Sequence, residues 1–277
     1  MITRILKGLA PVAALAAGAL VAGCDGVNIQ IGDSEGVPLA ELDTSGAAPS
    51  EIVLAAPDDV IVTHGDALDI DVTGDEKAVE AMRFHLEDDA LAISRAKNSG
   101  KDLGRATVRV TMPSLKAMVL AGSGTIEADR MDDRAEVTVA GSGSVKVGKM
   151  EVSNLDVTIA GSGDFEATGS TDKLDLTVAG SGSSKMGGLK VGSADISVVG
   201  SGDAEFDSDG TVEASIVGAG SVVVNGNATC TVSSVGSGKL TCKGGTTKAK
   251  AESPEAPEAP EAPEAPEAPE APEAPEA

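Results

Sequence analysis

The sequence predicts an all-β chain wound as a parallel β-solenoid with coils of 18–20 residues. Three observations carry that prediction. Gly-Ser-Gly recurs at 122–124, 141–143, 161–163, 180–182, 200–202 and 236–238, and Gly-Ala-Gly fills 218–220, so successive first glycines lie 19, 20, 19, 20, 18 and 18 residues apart. In most copies apolar residues stand six, four and two positions before the first glycine, and four and six after it, with polar residues between. That is the alternation of strands with one buried face. The chain also has no Trp or Tyr and only three Phe, which suits a narrow interior filled by small residues layer on layer better than a core of aromatic volume.

The elements follow in order. Residues 1–23 read as a lipoprotein signal peptide: Arg4 and Lys7 precede a short apolar run over 9–20, too brief to span a bilayer comfortably. The run ends in "LVAGC" at 20–24, which resembles a bacterial lipobox and makes Cys24 the acylated mature N-terminus. The plainer alternative is a secretory signal whose cysteine is incidental. Residues 24–49, polar and without pattern, read as a tether.

The solenoid domain is expected over 50–248. Its first part is irregular, with strand alternation in "VIVTHGDALDIDVTG" (60–74) and "LAISR" (91–95), and a short helix or turn in "DEKAVEAM" (75–82). "ATVRVTMPSL" (106–115) leads into the first corner. Because a solenoid needs its terminal layers covered, this stretch is expected to form the first coils and a cap. Each later unit reads as strand, glycine corner, strand, turn. A hairpin meander also fits that unit, but a meander needs no constant length, whereas a solenoid must return every equivalent residue above its predecessor. The corner glycines are Gly122, Gly124, Gly141, Gly143, Gly161, Gly163, Gly180, Gly182, Gly200, Gly202, Gly218, Gly220, Gly236 and Gly238. Both glycines of a corner are expected to permit positive φ and close stacking, and the serine hydroxyl between them to ladder onto backbone.

Cys230 lies six residues before the last first glycine and Cys242 six after it, in two inward columns. They face each other across the last coil, either as two buried thiols or, the preferred reading for an exported chain, as a disulfide. Residues 249–277 form a tail dominated by eight Pro-Glu-Ala repeats from 254. Proline at every third position disfavours helix and sheet, and polyproline II would place the glutamates on one edge and reach about 75 Å.

Charge and motif content narrow the chemistry. With 21 basic against 44 acidic residues and a net charge of −23, a nucleic-acid partner is not expected. The only histidines, His64 and His85, fall in the irregular N-terminal part and read as surface or cap residues. Asp164 and Asp203 stack two coils apart, but Ser183 between them interrupts a metal column, so no metal and no cofactor are expected. "GSGKLT" (236–241) fails as a phosphate loop because Leu240 stands where Ser or Thr should follow Lys239. Phe84, Phe165 and Phe206 are too few for sugar stacking, and the latter two occupy inward columns. The aligned columns are read as holding no cluster of carboxylates and basic groups on one face, and no residue is assigned as catalytic.

Segments such as "VTMPSLKAMVLAGSGTIEA" and repeats of the type "LDVTIAGSGDFEATG" resemble the bacterial head GIN domain, a family described as the head of an auto-transporter adhesin. The similarity covers roughly 50–245 and implies a right-handed β-helix on an exported protein, without catalytic residues to transfer. The expected function is a non-enzymatic, lipid-anchored protein of the cell envelope, facing the periplasm or cell surface. It holds the membrane through its N-terminal lipid and serves as a scaffold or adhesin-like module for a glycan, the cell wall or another envelope protein. The alternatives are a polysaccharide-active β-helix enzyme and an accessory of envelope stress or signalling.

Overall fold

The computed structural model describes residues 36–249, except 88, 98 and 101. The signal segment with Cys24, the first part of the tether and the Pro-Glu-Ala tail lie outside the described residues. Seventeen strands form one continuous sheet wound into a β-solenoid. The regular part runs through β7 (Ala117–Gly122), β8 (Thr125–Met131), β9 (Ala135–Gly141), β10 (Ser144–Gly161), β11 (Asp164–Gly180), β12 (Ser183–Gly200) and β13 (Asp203–Gly218). It closes with β14 (Ser221–Asn225), β15 (Thr229–Gly236), β16 (Lys239–Cys242) and β17 (Thr246–Ala249). Every pairing in this part is parallel, and corner glycines meet their equivalents: Gly141 lies opposite Gly161, Gly161 opposite Gly180, and Gly180 opposite Gly200.

The repeat length varies, yet the corners stay in register, because the slack is taken up elsewhere. Register shifts fall between Val147 and Met150, between Glu166 and Thr168, and between Met186 and Ser193, all on the side of the coil away from the glycine corner. Inward columns that fill the core tolerate no slip, since a one-residue shift would turn every buried side chain outward. Phe165 and Phe206 are fully buried, and small residues stack beside Phe165: it pairs with Ser184, which in turn pairs with Ala204. Bulk in one layer is thus offset by a small side chain in the next. Ser184 Oγ is buried without a hydrogen-bond partner.

The two glycines of a corner do different work, contrary to the expectation that both supply positive φ. Only the first does: φ is +127° at Gly180 and +120° at Gly200. A Cβ there would also stand 2.3 Å from the Gly161 carbonyl oxygen in one case and 2.4 Å from that of Gly180 in the other. The second glycine has ordinary φ but is tucked inward, where a Cβ on Gly182 would lie 2.5 Å from Ile159 Cγ2 of the preceding coil. The corner ladder is also made by backbone and not by hydroxyls. The Ser181 N–H donates to Gly161 O at 2.8 Å and the Ser201 N–H to Gly180 O at 2.8 Å, and Ala219 serves as well as serine, donating to Gly200 O at 2.8 Å.

The N-terminal layers cap the rod. They contain β1 (Glu51–Ala55), β2 (Asp59–His64), β3 (Asp69–Gly74), α1 (Glu76–Ala81), β4 (Met82–Glu87), β5 (Ala90–Arg95) and β6 (Ala106–Met112). Here β3 runs antiparallel to β6, and β4 antiparallel to β5, so the stack ends in hairpin-like layers. Asp58 ties them together. Its carboxylate, fully buried, accepts from Arg95 Nε at 2.8 Å, a second Arg95 nitrogen at 2.6 Å and the Ala106 N–H at 2.8 Å. Its carbonyl accepts the Thr125 N–H, which starts the first regular coil. Residues 36–42 lie within the span expected as tether. They dock on this cap because Val37 bridges to Phe84 and Leu39 and Leu42 pack on the core.

At the other end, Cys230 and Cys242 are joined across the last coil, with Cα atoms 6.7 Å apart. Cys230 is fully buried and Cys242 half-buried.

Candidate binding face

Strand alternation turns every second side chain outward, and parallel stacking lines those side chains up. On the strand leading into each corner, three outer columns result. The first is acidic: Glu136 pairs with Asp156, Asp156 with Asp175, Asp175 with Asp195, and Asp195 with Glu213. The second carries hydroxyls on Thr138, Thr158, Thr177, Ser197, Ser215 and Ser233. The third, beside the corner, runs through Ala140, Ala160 and Ala179 and then Val199, Val217 and Val235. This corrects the expectation that no face gathers carboxylates together with basic groups: among the described residues five carboxylates stack on one face, with Lys173 against two of them.

Neighbouring coils bring the carboxylates about 4.8 Å apart, where two like charges in water repel by about 0.9 kcal/mol. The pKa directions follow. Burial, and then the Asp156 charge, raises the Glu136 carboxyl above its ordinary range. Burial, and then Asp175, raises that of Asp156, with Lys173 pulling the other way. Glu51 is raised by burial and then by Glu136 and Asp89. One cation enters the ladder: Lys173 Nζ lies 2.9 Å from Asp175 and 3.7 Å from Asp195, and its pKa is raised, first by the hydrogen bond to Asp175. A shallow groove of about 330 Å³ runs along the acidic and hydroxyl columns from Asp175 to Ser233.

The strand that leaves each corner has a different surface. Its outer column alternates in sign, Glu127, Lys146, Glu166, Lys185, Glu205. Lys185 Nζ reaches Asp164 at 3.5 Å and Glu166 at 3.9 Å. A larger depression of about 600 Å³ lies here. Charge separates the two faces better than volume does, since lysines alternate with glutamates in this column and every position from Glu136 to Glu213 in the ladder column is a carboxylate.

The remaining sequence candidates are dispersed. Asp164, Ser183 and Asp203 stack as expected, and among the described residues no group of three or more His, Cys, Asp or Glu is placed to hold a metal ion. His64 and His85 sit on different strands of the cap: the His64 N–H donates to Asp129 at 3.1 Å, and the His85 ring bonds Glu87 at 2.9 Å. Lys239 is exposed at the last corner. No helix among the described residues is long and apolar enough to cross a membrane.

A solenoid whose outer columns repeat one chemistry along the rod defines a class of protein that presents an extended, regular surface. The chain belongs to the family described as "Putative auto-transporter adhesin, head GIN domain", which it matches over residues 48–228. Solved structures share the fold. A "putative adhesin" from Bacteroides fragilis aligns at a TM-score of 0.65 with 20% identity, covering 71% of this chain and 93% of that one. A "putative lipid binding protein" from Parabacteroides distasonis aligns at 0.58 with 22% identity over 71% and 93%, and a "putative adhesin" from Parabacteroides merdae at 0.56 with 17% identity over 71% and 92%. No curated protein matches the sequence. The adhesin description goes with association at the cell envelope or surface.

Proposed function

We propose that this protein is a non-enzymatic binding module of the bacterial envelope, anchored by a lipid on Cys24, whose ladder face docks an extended cationic segment of another envelope macromolecule. One observation carries the reading: five carboxylates stack in one outer column, while the outer column of the strand leaving each corner alternates its charges. A stack of like charges costs stability unless something of opposite sign relieves it. The hydroxyl column beside it adds donors and acceptors at the same spacing, and the valines add apolar contact. Like-charge focusing of this kind steers a cationic partner and sets its specificity.

The test uses the full chain and octalysine as probe, followed by amide NMR shifts. Octalysine is expected to shift residues around 156, 175, 195 and 213. Asp175→Asn/Asp195→Asn/Glu213→Gln together should weaken binding roughly 3- to 150-fold, at about 0.2–1 kcal/mol per exposed charge. Glu166→Gln/Glu205→Gln on the alternating face should leave it within about twofold. Equal losses from both sets would sink the assignment of the face. The anchor is read separately, from the intact mass of membrane-purified protein, which should begin at an acylated Cys24.

A further inference from the structure

The ladder already seats one ammonium, supplied by the protein itself. Lys173 Nζ lies 2.9 Å from Asp175 and 3.7 Å from Asp195, bridging two successive carboxylates. The residues that stack with Lys173 in neighbouring coils are Asn154, Ser193 and Thr211, none of them cationic. The gaps on either side of the lysine, Asp156–Asp175 and Asp195–Glu213, are therefore built like the filled one but receive no cation from that column. Asp156, Asp195 and Glu213 are exposed and Asp175 is half-buried. With coils about 4.8 Å apart, these two gaps stand about 9.6 Å apart, with Lys173 between them.

That distance selects among extended guests lying along the rod. In polyproline II, residues on one edge recur at every third position, about 9.3 Å apart. Side chains on one face of a strand recur at about 6.8 Å, and two turns of an α-helix take about 10.8 Å. Of the three, polyproline II alone keeps step with the gaps, to within about 0.3 Å. The neighbouring columns suit the same guest. The hydroxyls of Thr177, Ser197 and Ser215 lie about 6.6 Å along the strands from the acidic column, and Val199 and Val217, 50% and 46% exposed, lie as far again beyond them. A polyproline II helix over the hydroxyls has carboxylates along one side for its cations and valines along the other for its proline rings. Its backbone makes no internal hydrogen bonds, so its carbonyls can accept from the hydroxyls. We infer, resting on the docking function proposed for this face, that the cationic segment is proline-rich with Lys or Arg at every third residue, and that Lys173 sets this spacing by closing the middle gap.

The test compares the binding of two capped nonapeptides to the full chain at low salt, each made of three lysines and six prolines. In one, lysine begins each of three Lys-Pro-Pro units, so all three share an edge. In its isomer the lysines take the first, third and fifth positions and fall on different edges. Charge and composition are equal, so only register separates the two. The first peptide is expected to bind tighter by roughly 2- to 30-fold, since two exposed charges are mis-seated in the isomer, and to shift the amides around 156, 195 and 213. Lys173→Met should strengthen the binding of octalysine more than that of the Lys-Pro-Pro peptide, because only the flexible chain can fill the vacated gap. Affinities of the isomers equal to within twofold would overturn the proposal, as would a preference that survives Asp156→Asn/Asp195→Asn/Glu213→Gln. So would an equal gain of both probes in Lys173→Met. Octalysine that still binds the ladder would then leave the docking function standing, whereas octalysine that does not bind removes both.

Discussion

Replacing Gly180 with alanine tests whether the glycine corner sets the pitch of the rod. At φ +127° an L-residue is strained, by about 1–3 kcal/mol. The new Cβ would stand 2.3 Å from Gly161 O, a backbone atom that also accepts the Ser181 N–H at 2.8 Å. Relieving the clash means weakening that bond, which adds about 0.5–1.5 kcal/mol. The expected loss is therefore about 3 kcal/mol. Two controls separate its parts. Gly122 has φ +136° but its nearest atom, Ala56 O, is 3.7 Å from the built Cβ, so Gly122→Ala should carry the strain alone. Gly187, in the same coil as Gly180, has ordinary φ and no atom nearer than Glu205 Cδ at 3.6 Å, so Gly187→Ala should stabilise by about 0.4–1 kcal/mol. Urea unfolding followed by far-UV circular dichroism, with the disulfide intact, gives the midpoint shifts at constant slope. If Gly180→Ala behaved like Gly187→Ala, stacking of each corner on the last would not be what fixes the coil length.

Two further predictions follow from the cap and the ladder. Asp58→Ala should cost about 3–5 kcal/mol because it strands Arg95 against the core. In the urea assay the Asp58→Ala/Arg95→Ala double variant should lose less than the sum of the singles. The carboxyls of Glu51, Glu136 and Asp156 are raised in the folded state, so the native protein binds more protons there than the unfolded chain. Their ionisation opposes folding: stability is highest below the ordinary carboxylate pKa and falls as pH rises through the raised values. Asp43, Asp133 and Glu151 are lowered, first by hydrogen bonds to Ser45, Ser153 and Lys149 respectively, and act in the opposite sense. The ladder's share is therefore isolated by comparison: wild type minus Glu136→Gln/Asp156→Asn should show a stability deficit at pH 7 that closes by about pH 4. A pH-independent difference between the two proteins would remove the ladder repulsion from the account.

Periodicity alone determined much of this protein. A repeat of 18–20 residues with alternating apolar positions leaves few ways to bury its inward face, and stacking the coils places Cys230 opposite Cys242 because both sit six residues from Gly236. The irregular segments were legible too: α1 lies within 75–82 and β5 spans 90–95, since local alternation and a short charged run specify them without help from the repeat.

Tertiary structure decided the rest, because each remaining feature depends on neighbours 17 to 20 residues away in sequence or on layers with no repeat. That Gly180 is needed for φ and Gly182 for space follows only from which atom of the preceding coil each one meets. The burial of Asp58 depends on Arg95 and Ala106, 37 and 48 residues on. The acidic ladder was present in the letters at Glu136, Asp156, Asp175, Asp195 and Glu213, but single polar residues between apolar ones look like ordinary solvated positions. Only stacking turns them into one column, where repulsion between neighbouring layers gives the face a chemistry that no single coil possesses.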